Sequence, residues 1–203
     1  MPDRLHKTAL HESGHALLYL LHYIPIHEWS IVEEAATEGF VIAEHEPVGL
    51  HQLTNAHAGI AASGSRRPWN QKDFLHSLPV GIGDDKTDSE VAARIIFNRM
   101  KMAGFDDIRK HEHLLELLMQ ESLKKVRCLF KRQPFPQTIA SLADYMMERH
   151  QERRANINKQ MLAHLRTNNI GRLEKERMVF LLNNTNYQDL LSRENILTIS
   201  KKI

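Results

Sequence analysis

A single cysteine, Cys128, in 203 residues means that no disulfide can form within the chain, and a reducing compartment is the expectation. No run approaches the ~18 apolar residues that a membrane-spanning helix needs, and the N-terminus lacks the basic-then-apolar pattern of a secretory signal. A soluble, cytoplasmic protein with no membrane partner is therefore expected. A phosphate-binding glycine loop, an internal repeat and a low-complexity segment are also missing. What is present is 42% hydrophobic residues, enough for a sizeable core in one domain or one domain with an appended subdomain. The formal net charge of +2 hides an uneven spread: residues 1–150 hold 17 Lys and Arg against 20 Asp and Glu, whereas 151–203 hold 10 against 5. This shift near His150 separates a domain at 1–150 from a basic helical extension at 151–203. The basic excess reads first as a solvated helical tail and second as a surface for an acidic partner. Nucleic acid is not an expected partner, because the extension has only Phe180 and Tyr187 as aromatics and no recognisable binding motif.

The stretch from Thr8 to Leu18 carries one complete H-E-x-x-H box, His11-Glu12-Ser13-Gly14-His15. From this chain's His and Glu frequencies, roughly 0.06 chance occurrences are expected. Histidines four apart on a helix share a face one turn apart, so both imidazoles can converge on one ion. Leu5, Ala9, Ala16, Leu17, Leu20 and Leu21 recur at helical spacing and predict a largely buried helix over 4–23. Zinc is the ion such a pair suits, and Glu12 would sit beside it as the base that takes a proton from water. Gly14 costs ~1 kcal/mol against alanine inside a helix, which points to close approach of another segment beside the metal.

Further along, Glu28–Val32 and Gly39–Ala43 are β-prone and predict a short antiparallel pair. A free strand edge beside a metal helix could take up an extended peptide through main-chain hydrogen bonds, although an ordinary covered strand is an equal reading. Residues 50–63 predict a helix with Ala56, Ile60 and Ala61 inward and Gly64 as its stop. Another is predicted from Asp88 to Met102, with Thr87 and Glu90 at capping-box spacing. A long amphipathic helix follows over 106–132, closed by Pro134 and Pro136, then a helix from Ile139 to about Arg154. In the extension, helical stretches are predicted at 161–165, 173–182 and 187–191.

Two histidines leave a catalytic zinc one protein ligand short. His22 lies on the same helix face as His11 but ~10 Å beyond His15 along the axis, too far for a shared ion. Leu18 and Leu21 also occupy the places where the longer H-E-x-x-H-x-x-G-x-x-H motif has Gly and His. Glu28, Glu33 and Glu44 belong to the predicted hairpin and rank second. The acidic helix start at 84–88 ranks first, since a loop entering a helix N-terminus can aim a carboxylate at a fixed point. The competing role for Asp88 is to complement the helix dipole, worth ~0.3–1 kcal/mol.

In several pieces, in order, the chain resembles the zinc peptidase domain of the FtsH-type ATP-dependent membrane proteases. Thr8–Leu18 (TALHESGHALL) is similar to that family's helix around its HEAGH box, with Ser13 where alanine is usual. Gly39-Phe40-Val41 looks like its glycine-aromatic strand near the substrate cleft, and Ala58-Gly59-Ile60-Ala61-Ala62 like its small-residue helix. The stretch 88–95 (DSEVAARI) resembles the helix that opens with the family's aspartate ligand, and 110–150 its closing helical hairpin. The resemblance covers about residues 4–150. It implies zinc held by His11, His15 and Asp88, with Glu12 as base and Gly39, Phe40 and Val41 contacting substrate. The loop Asp84-Asp85-Lys86-Thr87 departs from the family pattern and leaves Asp84 or Asp85 as substitutes for Asp88. The family's ATPase module and membrane helices precede the peptidase domain, whereas this chain begins a few residues before its metal helix.

The expected protein is thus a predominantly helical α+β HExxH metallopeptidase domain with a small sheet, a helical hairpin and a helical C-terminal extension. Its expected activity is zinc-dependent endopeptidase cleavage of unfolded or flexible polypeptides, alone or with a separate ATPase or unfoldase. Family relatives assemble as rings, which makes a homo-oligomer an expectation too. The alternative is a catalytically inactive zinc-binding adaptor or regulatory module on the same scaffold.

Overall fold

Every residue from Glu12 to Leu21 is buried, so the C-terminal half of the first helix, α1 (Pro2–Leu21), is enclosed all round. A helix apolar on all sides belongs in a core, and the run Ala16-Leu17-Leu18-Tyr19-Leu20-Leu21 satisfies that condition. Each fully buried leucine there contributes ~1.5–3 kcal/mol relative to exposure. The computed structural model describes residues 2–32, 39–64, 87–150, 159–161, 163–164 and 188–203. After α1 come β1 (Ile26–Ser30), β2 (Phe40–Ala43), α2 (Leu50–Ala62), α3 (Asp88–Met102), α4 (Glu112–Phe130), α5 (Phe135–Glu148) and α6 (Arg193–Ser200). A 3₁₀ turn at Ile108–Lys110 precedes α4. The protein is mostly helical with one two-stranded antiparallel sheet, which is the expected α+β class in its coarse form.

α1 packs against both α2 and α5, while α2 also packs on α3 and α4. β1 and β2 pair in the register Glu28 to Ile42, Trp29 to Val41 and Ser30 to Phe40, with an irregularity between Ile26 and Glu28. Both strands contact α1, and Trp29 of β1 stacks near Tyr145 of α5 with ring centroids 6.2 Å apart. Gly64 ends the α2 region at φ +67°, a conformation suited to the residue after a helix C-cap.

Most predicted elements form within a few residues of their expected bounds, and the differences have local causes. The predicted helix over 106–132 splits, because the Asp107 side chain accepts the Arg109 amide and caps a separate 3₁₀ turn. α5 starts at Phe135 rather than Ile139: Pro136 sits inside its first turn, where a missing amide hydrogen costs nothing. It ends at Glu148, short of the expected Arg154. In the extension, 159–161 and 163–164 are helical as expected near Met161, and 188–190 agree with the stretch expected at 187–191. The stretch predicted at 173–182 lies outside the described residues. α6 was not expected; its Ile196 is fully buried, and with Met161, Leu190 and Leu191 it joins the same apolar cluster as α1.

The crossing of α1 and α2 is tight at Gly14. A Cβ there would overlap the Ala58 carbonyl oxygen and lie 2.7 Å from the Ala58 carbonyl carbon and 2.9 Å from the Ala62 methyl. Gly14→Val is therefore expected to destabilise the fold by ~1–3 kcal/mol or more, read as a lower urea midpoint. An unchanged midpoint would contradict this contact.

On α2, the buried His57 donates through Nε2 to Ser122 Oγ on α4 at 2.7 Å, and Ser122 donates to the Met119 carbonyl at 2.9 Å. Nδ1 is left buried with no hydrogen-bond partner. Burial, opposed by Asp88 and aided by Arg127, pushes the imidazole from 6.5 down to about 3. Below pH ~6.5 the unfolded chain takes up a proton that the folded protein refuses, so this group costs stability as pH falls from 6.5 toward 3. Chelator-treated His57→Gln is expected to lose less stability than wild type between pH ~6.5 and ~4. Parallel urea midpoints across that range would disprove it.

Candidate metal centre

Helical spacing brings His11 and His15 onto one face of α1, and their Nε2 atoms lie 3.2 Å apart. The third atom comes from the first turn of α3. There, Thr87 Oγ1 accepts the Glu90 amide at 3.3 Å, and Glu90 Oε2 accepts the Thr87 amide at 2.9 Å, a complete capping box. With that cap satisfied, the Asp88 carboxylate is free to turn inward. Its Oδ2 stands 3.1 Å from His11 Nε2 and 3.1 Å from His15 Nε2.

Protons satisfy this triangle only in part. An ionised Asp88 brings no proton, and if both rings donate to Oδ2 their two N–H groups oppose each other across 3.2 Å. A cation at the centre makes all three contacts favourable. Zinc with ligand bonds of ~2.0–2.1 Å in tetrahedral geometry spaces its ligands by roughly 3.3 Å, close to the distances here. His11, His15 and Asp88 are the group among the described residues able to hold a metal ion. Their side chains are 30%, 10% and 32% exposed, so the centre lies at the border of core and solvent.

Charge is distributed accordingly. Burial opposes the charged form of His15, but the Asp88 carboxylate outweighs it with help from Glu12 and Asn55 and carries the ring up to about 9. Burial also works against ionised Asp88, and the two imidazoles overcome it and hold its carboxyl well below the usual range. Glu12, 5% exposed, is raised by burial, with the two histidines pulling it back. A carboxylate held above its ordinary range is better suited to accepting a proton.

Two glycines shape the surroundings. A Cβ on Gly59 of α2 would strike the His11 ring, 2.5 Å from Cε1 and 2.6 Å from Cδ2. A Cβ on Gly39, just before β2, would lie 2.7 Å from Thr8 Cγ2 and 2.9 Å from Glu12 Oε1. The segment expected to contact substrate therefore begins against the expected base, and Phe40 and Val41 continue it as strand, both partly buried. The other ligand candidates are elsewhere. His22 packs on His51 with ring centroids 4.5 Å apart, and Glu28 and Glu44 do not join the cluster. Glu33, Asp84 and Asp85 lie outside the described residues.

Sequence reasoning missed Gly59 as the residue that makes room for the His11 ring. It also missed Asn55, Glu46 and Tyr19, which stand behind His15. Only Tyr19 had a local signal, one helical turn after His15.

Comparison with family models, curated proteins and solved structures gives no match in any of the three. The likeness to the FtsH-type peptidase domain therefore rests on the motif residues named above.

Asp88→Ala is expected to abolish stoichiometric zinc uptake by the purified protein, whereas Asp84→Ala and Asp85→Ala retain it. Metal analysis after dialysis reads the difference; zinc retained by Asp88→Ala would remove it from the site.

Proposed function

We propose that the protein is a metallohydrolase of the HExxH type, and more specifically a zinc-dependent endopeptidase acting on unfolded or flexible polypeptides. The observation that carries this reading is the convergence of His11 Nε2, His15 Nε2 and Asp88 Oδ2 within 3.2 Å of one another. Among the described residues three protein ligands converge, and with two of them about a third exposed the group suits a catalytic ion better than a closed structural one.

A zinc ion held there would polarise the scissile carbonyl and lower the pKa of an attacking water toward ~7. Glu12 takes the proton from that water and returns it to the leaving amine, so one carboxyl acts first as base and then as acid. Its burial raises its proton affinity, which favours taking the proton from water, and the two histidines beside it oppose that rise. Asp88 and the two imidazoles provide the ligand set, and the Thr87–Glu90 cap holds the Asp88 backbone in place. β2, which begins just after Gly39 beside Glu12, would offer main-chain groups to an extended peptide, which would favour substrates without fixed structure over folded ones. A separate ATPase or unfoldase is a compatible partner for folded substrates, and assembly into a homo-oligomer is part of the same proposal.

Purified zinc-loaded protein should cleave denatured casein, and a chelator should stop it. Glu12→Gln should retain zinc while losing at least ~100-fold in rate. Equal cleavage by Glu12→Gln refutes the mechanism, and tight zinc binding with no hydrolysis of unfolded substrates favours a non-catalytic zinc-binding adaptor or regulatory module.

A further inference from the structure

α1 and α2 run antiparallel past the site. His11 meets Gly59, while Asn55, one turn earlier on α2, comes beside His15 and Tyr19. Asn55 is 5% exposed. Its Nδ2 donates to Glu46 Oε2 at 3.3 Å, and the other oxygen of Glu46 accepts the Tyr19 hydroxyl at 2.5 Å. Because an ionised Glu46 only accepts, the bond to it fixes the amide nitrogen on that side and turns Oδ1 the other way. That oxygen is buried and has no hydrogen-bond partner. An orphaned buried acceptor of this kind is costly and calls for a donor. The neighbouring ring of His15 has one: Nε2 faces Asp88 and His11, which leaves Nδ1–H as its second polar group.

We propose that Asn55 is a positioning residue for the metal centre. In the metal-loaded protein its Oδ1 accepts the Nδ1–H of His15, with the amide held in that orientation by Glu46 and Tyr19. This rests on the reading of His11, His15 and Asp88 as a zinc site. A histidine ligand whose second nitrogen is bonded in this way keeps one tautomer, with the Nε2 lone pair directed at the ion, and keeps its ring from turning. The Asn55–Glu46–Tyr19 chain thereby links the end of the β2 region and the lower part of α1 to the orientation of one ligand. Glu46 lies at the surface, so the chain begins in solvent and ends at the metal.

Zinc affinity by chelator competition, with ring-nitrogen NMR on the zinc-loaded wild type, tests this. Asn55→Leu should weaken zinc binding ~10- to 100-fold while the ion-free protein keeps its helical circular dichroism. The double variant Glu46→Gln with Asn55→Asp restores an oxygen toward His15 with a donor behind it, and should recover most of that loss. In wild type, His15 should show a metal-bound Nε2 and an Nδ1–H that exchanges slowly with solvent. Wild-type affinity in Asn55→Leu, or a metal-bound or rapidly exchanging Nδ1 in wild type, overturns the role of Asn55 alone. If wild type takes up no zinc, the metal centre itself is refuted and this role with it. Should Asn55→Leu fail to fold, the wild-type nitrogen spectrum decides.

Discussion

Three polar atoms from two helices meet within 3.2 Å, and much of the architecture can be understood as what that meeting requires. Two of them cost little to bring together, since helical geometry stacks His11 over His15. The third has to be carried across 73 residues and aimed by a helix start. Loop closure over that length is entropically modest, but holding a buried carboxylate at one point needs rigid support. The Thr87–Glu90 cap provides it at the α3 end, and the packing of both α3 and α1 on α2 provides it in the core.

α2 is thus the spacer of the molecule. It can lie close enough to α1 only because Gly14 admits the Ala58 backbone and Gly59 leaves room for the His11 ring. The same helix puts Asn55 behind His15 and anchors itself to α4 through the His57–Ser122 bond. A larger residue at either glycine would push the helices apart and loosen the ligand geometry with the core. Stability and the candidate chemistry are therefore coupled through one helix crossing.

Buried ionisable groups are tolerated here because they face one another. Glu12, His15 and Asp88 are each penalised by burial, yet each is offset by a partner of the opposite tendency within the same cluster. A divalent cation would add compensating positive charge to the same cluster. The site also borders the short sheet through Gly39, whose Cβ position lies 2.9 Å from Glu12 Oε1, so the buried carboxylate stands between the histidine–aspartate group and the start of a strand. That grouping is the basis of the proposal of peptide hydrolysis.

The sequence alone determined the local features. Apolar spacing along α1, the four-residue step from His11 to His15, the Thr87–Glu90 cap and the two short strands all depend on neighbours within a few positions, and all were legible. The close-packing role of Gly14 was legible too, because an interior glycine is unfavourable unless something lies against it. The choice of Asp88 was suggested by a resemblance and by the acidic helix start; its carboxylate faces the histidines only through the packing of α3 on α2. Tertiary structure alone decided that Gly59 clears the His11 ring, that Glu46 reaches Tyr19 and Asn55, and that Ile196 and Met161 join the apolar cluster. Those contacts join residues nine or more positions apart and on different elements, where helical or strand periodicity carries no information, and only the mutual fit of whole elements sets the distance between them.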